Sequence, residues 1–174
     1  MSSLPDPQSL AKLVSNVTKT MFGLSFVPAA SSDRGESLCI QMVLMTITGP
    51  RKIHLVLASD REGSASLAAG LFGCPAAELT RQMIDDAITE LLNMVAGQIV
   101  PAMKLDQAIG LPRVTNLAEF AALGGPGLTD TVLLRSDVNL HLRLWIFEEH
   151  QPAQEPPSSG SRFRSLIGRP DKPV

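Results

Sequence analysis

Asp130 to Glu149 reads DTVLLRSDVNLHLRLWIFEE, and this stretch decides the fold class. Val138, Leu140, Leu142, Leu144 and Ile146 alternate with Asn139, His141, Arg143, Trp145 and Phe147. Side chains two apart on an extended chain share a face, so this period marks strand with one apolar face in the core. The other face starts polar and ends in Trp145 and Phe147, two large rings that something must cover. A strand of this kind needs partner strands and a packed layer over it. The rest of the chain must supply both.

LCIQMVLMTIT (38–48) and KIHLVLAS (52–59) flank GPR (49–51), the signature of a hairpin with Pro50 in the turn. Their near-continuous hydrophobicity predicts a sheet covered on both faces. SSDRGES (31–37) before them is a loop. Asp6 followed by Pro7 starts a helix, an N-cap acceptor and then proline at the first helical position. Leu10, Leu13, Val14, Val17 and Met21 give that helix its apolar stripe to about Phe22, and Gly23 ends it. ASDREGSASLAAGLFG (58–73) is a loop and short helix stopped by Gly73. CPAAELTRQMIDDAITELLNMVAGQIV (74–100) is a long helical region with a break inside it, bounded by Pro101, after which AMKL resumes a turn. GLPRVTNLAEFAALGGPGLTD (110–130) is irregular and glycine-rich, with a short strand near Val114. The order predicts an α+β domain over residues 1–150, helices packed on a largely antiparallel sheet. Residues 151–174, rich in Pro, Ser and Gly, read as a disordered tail. The tail carries Arg162, Arg164, Arg169 and Lys172, either a short docking segment or a solubilising end.

With 174 residues, 44% hydrophobic and 18% charged, the chain suits one domain with a full core. A net charge of −2 gives no bulk attraction to nucleic acid or membrane, and 4% aromatic content without tyrosine argues against base stacking. Cys39 and Cys74 form no CxxC pair, and MSSLPDPQSLAKL has no basic n-region or long apolar run. Two reduced thiols in a cytoplasmic protein are expected. His54, His141 and His150 are scattered, without metal-ligand spacing, so no metal of its own is expected. There is no phosphate-cradling GxxxxGK[ST] or GxGxxG and no GxSxG elbow. LGGPG (123–127) follows no strand and opens no helix.

Within the long helical region, DDAITELLNMVAG (85–97) carries an unusual line. At about 100° per residue, with Asp86 at zero, Glu90 falls near ~40°, Asn93 near about −20° and Gly97 near ~20°. Ile84, Ala87, Ile88, Leu91, Leu92, Val95 and Ile99 spread over the opposite half, so the line faces away from the core. Met83 and Met94 flank it, as rim of the core or as adaptable contacts. Two readings stand: a solvated face, or a working surface. Charges on an exposed helix face are ordinary. Asn93 and Gly97 are not, since glycine costs a helix about 1 kcal/mol relative to alanine. A bare glycine beside an amide and two carboxylates leaves room for another surface to come close.

DAITELLNMVAGQI resembles the signature helix of the CheC/CheX/FliM-type phosphatases of bacterial chemotaxis. That signature is an acid or serine, then Glu, then Asn three residues on, then small residues. Asp86, Glu90 and Asn93 match it in turn, LAAGLFG precedes it and GLPRV follows. The likeness runs from about Leu10 to Phe147. CheC-type members carry two such helices. Here the first helix has Asn16 but Leu13 where its Glu would stand, so a single phosphatase-motif helix, the CheX arrangement, is expected. The resemblance implies a substrate, the phosphorylated receiver domain of a CheY-like response regulator, whose own Mg2+ would serve the reaction. It implies that Asn93 and Glu90 are the catalytic pair. Asn93 would orient the attacking water and Glu90 would pair with the lysine of the receiver pocket. Asp86 would be an edge contact, and Gly97 would keep the approach clear. It also implies a homodimer through the sheets, compatible with the outer face of Trp145 and Phe147.

The pattern departs from the family in three places. Pro112 stands for the proline expected about twenty residues after Asn93, Asn116 replaces a frequent glycine, and the segment to Asp130 is longer and richer in glycine. The competing readings are a non-catalytic module of the same fold, binding response regulators or acting as a scaffold, and a structural dimer with no response-regulator link.

Overall fold

The computed structural model describes residues 5–29, 41–105, 107–124 and 131–149. The chain order is α1 (Pro7–Phe22), β1 (Phe26–Pro28), β2 (Gln41–Thr48), β3 (Ile53–Ser59), α2 (Arg61–Phe72), α3 (Arg81–Ala102), β4 (Ala108–Ile109), β5 (Arg113–Thr115), α4 (Leu117–Ala122), β6 (Thr131–Ser136) and β7 (His141–Glu148). The seven strands form one antiparallel sheet in the order β1-β6-β7-β3-β2, with β4 and β5 side by side on the outer edge of β2. Cys39, His150, the loop 31–37, residues 125–130 at the end of the glycine-rich segment and the tail 151–174 lie outside the described residues.

Both faces of the sheet are covered, which is why β2 and β3 read as unbroken apolar runs. One face presents Val43, Met45, Leu55, Leu57, Leu134, Leu142, Leu144 and Ile146 to α1, α2 and α3. The alternate residues Met42, Leu44, Val56, Ala58, Trp145 and Phe147 form a second, smaller cluster with Phe120. Strand pleat sets this division: residues one apart in β7, such as Leu144 and Trp145, belong to opposite layers.

α1 begins and ends as its sequence predicts. Asp6 accepts hydrogen bonds from the Gln8 and Ser9 amides (3.0 and 3.1 Å), and Gly23 closes the helix at φ 71°. Met21, expected in the buried stripe, lies in the last turn and is 37% exposed, while Phe22 takes the buried place.

Three expectations need correction. The period-2 run does not extend to Val138: β6 and β7 are joined by a turn in which Asn139 adopts φ 62° and Val138 is 60% exposed. Asparagine tolerates this left-handed conformation, and the Ser136 hydroxyl accepts from the Leu140 amide (3.0 Å) to close the turn. Alternation is also periodic in a turn-bearing hairpin, so it could not locate the reversal. Pro101 does not bound the long helix either. α3 passes through it to Ala102, because a proline in the last turn forfeits only one intrahelical bond. The break in the 74–100 region lies before α3, where Thr80 caps the helix by accepting from the Met83 amide (3.2 Å).

The third correction concerns Trp145 and Phe147. Residues 117–122 are helical, not irregular, and Asn116 is their N-cap, accepting from the Glu119 amide (2.9 Å). α4 carries Phe120 onto the second face of the sheet. Its ring centroid is 4.9 Å from that of Trp145 and 6.0 Å from that of Phe147. The chain therefore covers its own outer face.

At the β2 edge, a Cβ on Gly110 would come within 2.5 Å of the Thr46 carbonyl oxygen. Only glycine lets the backbone approach so closely, and the Gly110 amide donates to that oxygen (2.9 Å). This kink separates β4 from β5.

Candidate functional site

α3 is a long helix held along its whole inner side. Ala87, Ile88, Leu91, Leu92, Val95, Ala96 and Ile99 are fully buried against the sheet and neighbouring helices. Burying seven apolar side chains, at about 25 cal/mol per Å², makes this the best-anchored helix face available to carry a site. Asp86, Glu90, Asn93 and Gly97 are all exposed on the other side. The wheel therefore describes the structure: two carboxylates, an amide and a glycine in one line on a rigid support. Successive members are separated along the axis by about 4.5–6 Å. Met83 and Met94 are half-buried beside the line, and Met94 packs against the main core.

A helix that carries a site must not roll. Asp85, next to the first member of the line, points to the other side and fixes the azimuth. Its Oδ1 accepts from Nε2 of Gln41, a buried residue at the start of β2. It also accepts from Nε of Arg81 one turn earlier (3.2 Å). Asp85 is not part of the Asp86–Glu90–Asn93–Gly97 line. Its signal in the sequence is its position on the inner half of the wheel, where a charge requires a partner.

Gly97 has nothing within 4 Å of where a Cβ would stand. No packing among the described residues calls for glycine there. Pro101, one turn later, is also exposed and lies inside α3.

The other flagged residues lie elsewhere. Asn16 is exposed on α1, lining an open groove of about 640 Å³ with Asp6, Ser9, Lys12, Leu13 and Ala102. Pro112 leads into β5. His54 is buried, with Thr46 Oγ1 3.1 Å from its Nδ1 and Glu149 Oε2 3.1 Å from its Nε2. Lys52 and His54 together hold the Glu149 carboxyl below its usual range, the lysine hydrogen bond being the larger cause. His141 faces Asp60 at 3.6 Å. Among the described residues, no group of three or more His, Cys, Asp or Glu side chains is placed to hold a metal ion, and no helix is long and apolar enough to cross a membrane.

Residues 42–125, which span α3 and the sheet around it, match the family described as chemotaxis phosphatase CheX. The match and the solved structures below are consistent with a CheX-type member of the CheC/CheX/FliM superfamily. Solved structures share the fold of this chain at low identity. The chemotaxis protein CheX from Vibrio vulnificus is 17% identical with a TM-score of 0.59, covering 84% of this chain and 100% of that one. A chain of the CheX–CheY–BeF3–Mg2+ complex from Borrelia burgdorferi is 15% identical with a TM-score of 0.61, covering 84% and 99%. The FliM middle domain from Vibrio alginolyticus is 13% identical with a TM-score of 0.54, covering 80% and 88%. No curated protein matches the chain.

Proposed function

We propose that this CheX-type chain hydrolyses the aspartyl phosphate of a response-regulator receiver domain of the CheY class. The observation that carries the reading is the exposed Glu90–Asn93 pair on a helix whose opposite side is fully buried. The Borrelia relative seen with CheY supports the choice of partner.

The chemistry asks little of the phosphatase. An acyl phosphate sits with its Mg2+ in the receiver's own pocket, so neither metal nor nucleophile need come from this chain. What is missing is a water aligned with the phosphorus. The Asn93 carboxamide can accept from and donate to that water. Glu90, one turn earlier, pairs with the lysine of the receiver pocket and sets the register of docking. Asp86 is an edge contact, and Gly97 keeps the helix surface low where the receiver passes.

The proposal includes a homodimer. Trp145 and Phe147 no longer support it, because Phe120 covers them. The outer edge of the sheet does. Ile109 and Val114 are 43% exposed and Leu111 90%, all along the short, kinked edge of β4 and β5, and Leu117 at the start of α4 is 67% exposed.

The test is the rate of phosphate loss from a phosphorylated receiver domain with the purified protein. Acceleration that disappears in Asn93→Ala is expected. Full activity in that variant would overturn the mechanism. Phosphorylation-dependent binding without acceleration would leave the non-catalytic module as the better reading.

A further inference from the structure

The exposed line of α3 continues past Asn93 into a segment built against helix stability. Gly97 is exposed, and a Cβ there would meet nothing, so alanine would fit and favour the helix. Pro101 is exposed and lies inside α3. Proline has no N–H, and its ring presses on the carbonyl four residues back. That carbonyl belongs to Gly97. It therefore lacks its α-helical donor, and glycine gives the peptide freedom to tilt outward from the proline ring. Two unfavourable residues one turn apart act on the same peptide group, on the face that carries Asn93.

We propose that the Gly97 carbonyl oxygen is a binding acceptor, taking a hydrogen bond from an N–H or ammonium donor on the rim of the docked receiver domain. The inference rests on the receiver-docking reading above and adds to it a main-chain contact. The spacing suits a rim contact, because Gly97 lies about 6 Å along the axis from the water-aligning Asn93. The missing Cβ lets the partner reach the oxygen, and Pro101 keeps the helix from consuming it. Such a contact holds bound receiver equally before and during hydrolysis, so it sets affinity and not the chemical step.

Replacing Pro101 tests this directly. Pro101→Ala and Pro101→Val both supply the missing N–H to Gly97, and valine also keeps apolar bulk close to that of the proline ring. Both variants are expected to melt a few degrees higher than the parent. Both should bind a receiver domain loaded with beryllofluoride and Mg2+ about three- to tenfold more weakly. KM for the phosphorylated receiver should rise by a similar factor with kcat unchanged. Unchanged affinity in both variants overturns the proposal while leaving receiver docking intact. Parental affinity in Pro101→Val alone assigns the loss to the proline ring and equally overturns it. If the parent protein binds no receiver domain, the docking reading fails and the acceptor falls with it.

Discussion

The ring of Phe120 meets the indole of Trp145 at 4.9 Å between centroids and 55° between planes. A six-residue helix thereby closes the second face of the sheet with one buried side chain. Phe120→Ala should cost about 3 kcal/mol. The chain has one tryptophan and no tyrosine, so emission on excitation at the indole band reports Trp145 alone. A red-shifted spectrum in the folded variant is expected. An unshifted one would mean that α4 is not what keeps the indole dry.

α4 is tied down by Glu119, which takes hydrogen bonds from Arg113 Nη1 (2.9 Å) and Thr115 Oγ1 (2.6 Å). The Arg113 bond chiefly, then Thr115, lowers its pKa from 4.5 to about 2. A carboxyl whose pKa is lower in the fold binds fewer protons there than in the unfolded chain. Its contribution is whole above about 4.5 and is lost as pH falls through about 2. Trp145 emission should therefore shift between those values in the parent protein. Glu119→Gln, with no charge to lose, should lack that part of the shift and start from a looser α4.

Asp85 and Asp86 are adjacent but do different work. Asp85→Ala strands the buried amide of Gln41 and should cost about 1–3 kcal/mol, measured by denaturant unfolding. Asp85→Asn can still accept that bond and should cost less. Asp86→Ala, on the open side, should stay within about 0.5 kcal/mol of the parent. Equal costs at the two positions would contradict the assignment of Asp85 as the residue that fixes the helix azimuth.

Asn93 and Glu90 should separate in kinetics. Asn93→Ala should lower kcat for phosphate loss by about 100-fold or more with little change in receiver affinity. Glu90→Ala should act chiefly on affinity, by about tenfold, as a charge-assisted contact does. Both residues are exposed, so both variants should unfold like the parent. Loss of kcat without loss of affinity in Glu90→Ala would reverse the two roles.

If the β4–β5 edge joins two copies, light scattering should report about twice the chain mass of 18.6 kDa. Leu111→Asp, at the most exposed apolar residue of that edge, should return the monomer mass without altering the circular dichroism spectrum. A parent protein that is monomeric at tens of micromolar would remove the dimer from the proposal.

The working face of α3 was legible before any coordinates because it depends on one period alone. Residues spaced three and four apart share a helix face, so the placement of Asp86, Glu90, Asn93 and Gly97 opposite Ile88, Leu91 and Val95 follows from order in the chain. The α1 caps at Asp6 and Gly23 and the β2–β3 hairpin were legible for the same reason, being set by residues within a few positions of each other. The start of α4 carried a local sign as well, Asn116 three residues before Glu119, but the glycines around it masked a helix of six residues.

What the chain order alone determined is thus the set of local faces: an amphipathic helix bearing an acid–acid–amide–glycine line, and strands with two apolar sides. Tertiary structure decided what meets each face. Phe120 covers Trp145 across 25 positions of chain, and Gln41 holds Asp85 across 44. The outer edge of β2 receives two short strands instead of one. Local periodicity says which way a side chain points, and only packing between distant segments says whether water, a neighbouring ring or a partner protein stands there.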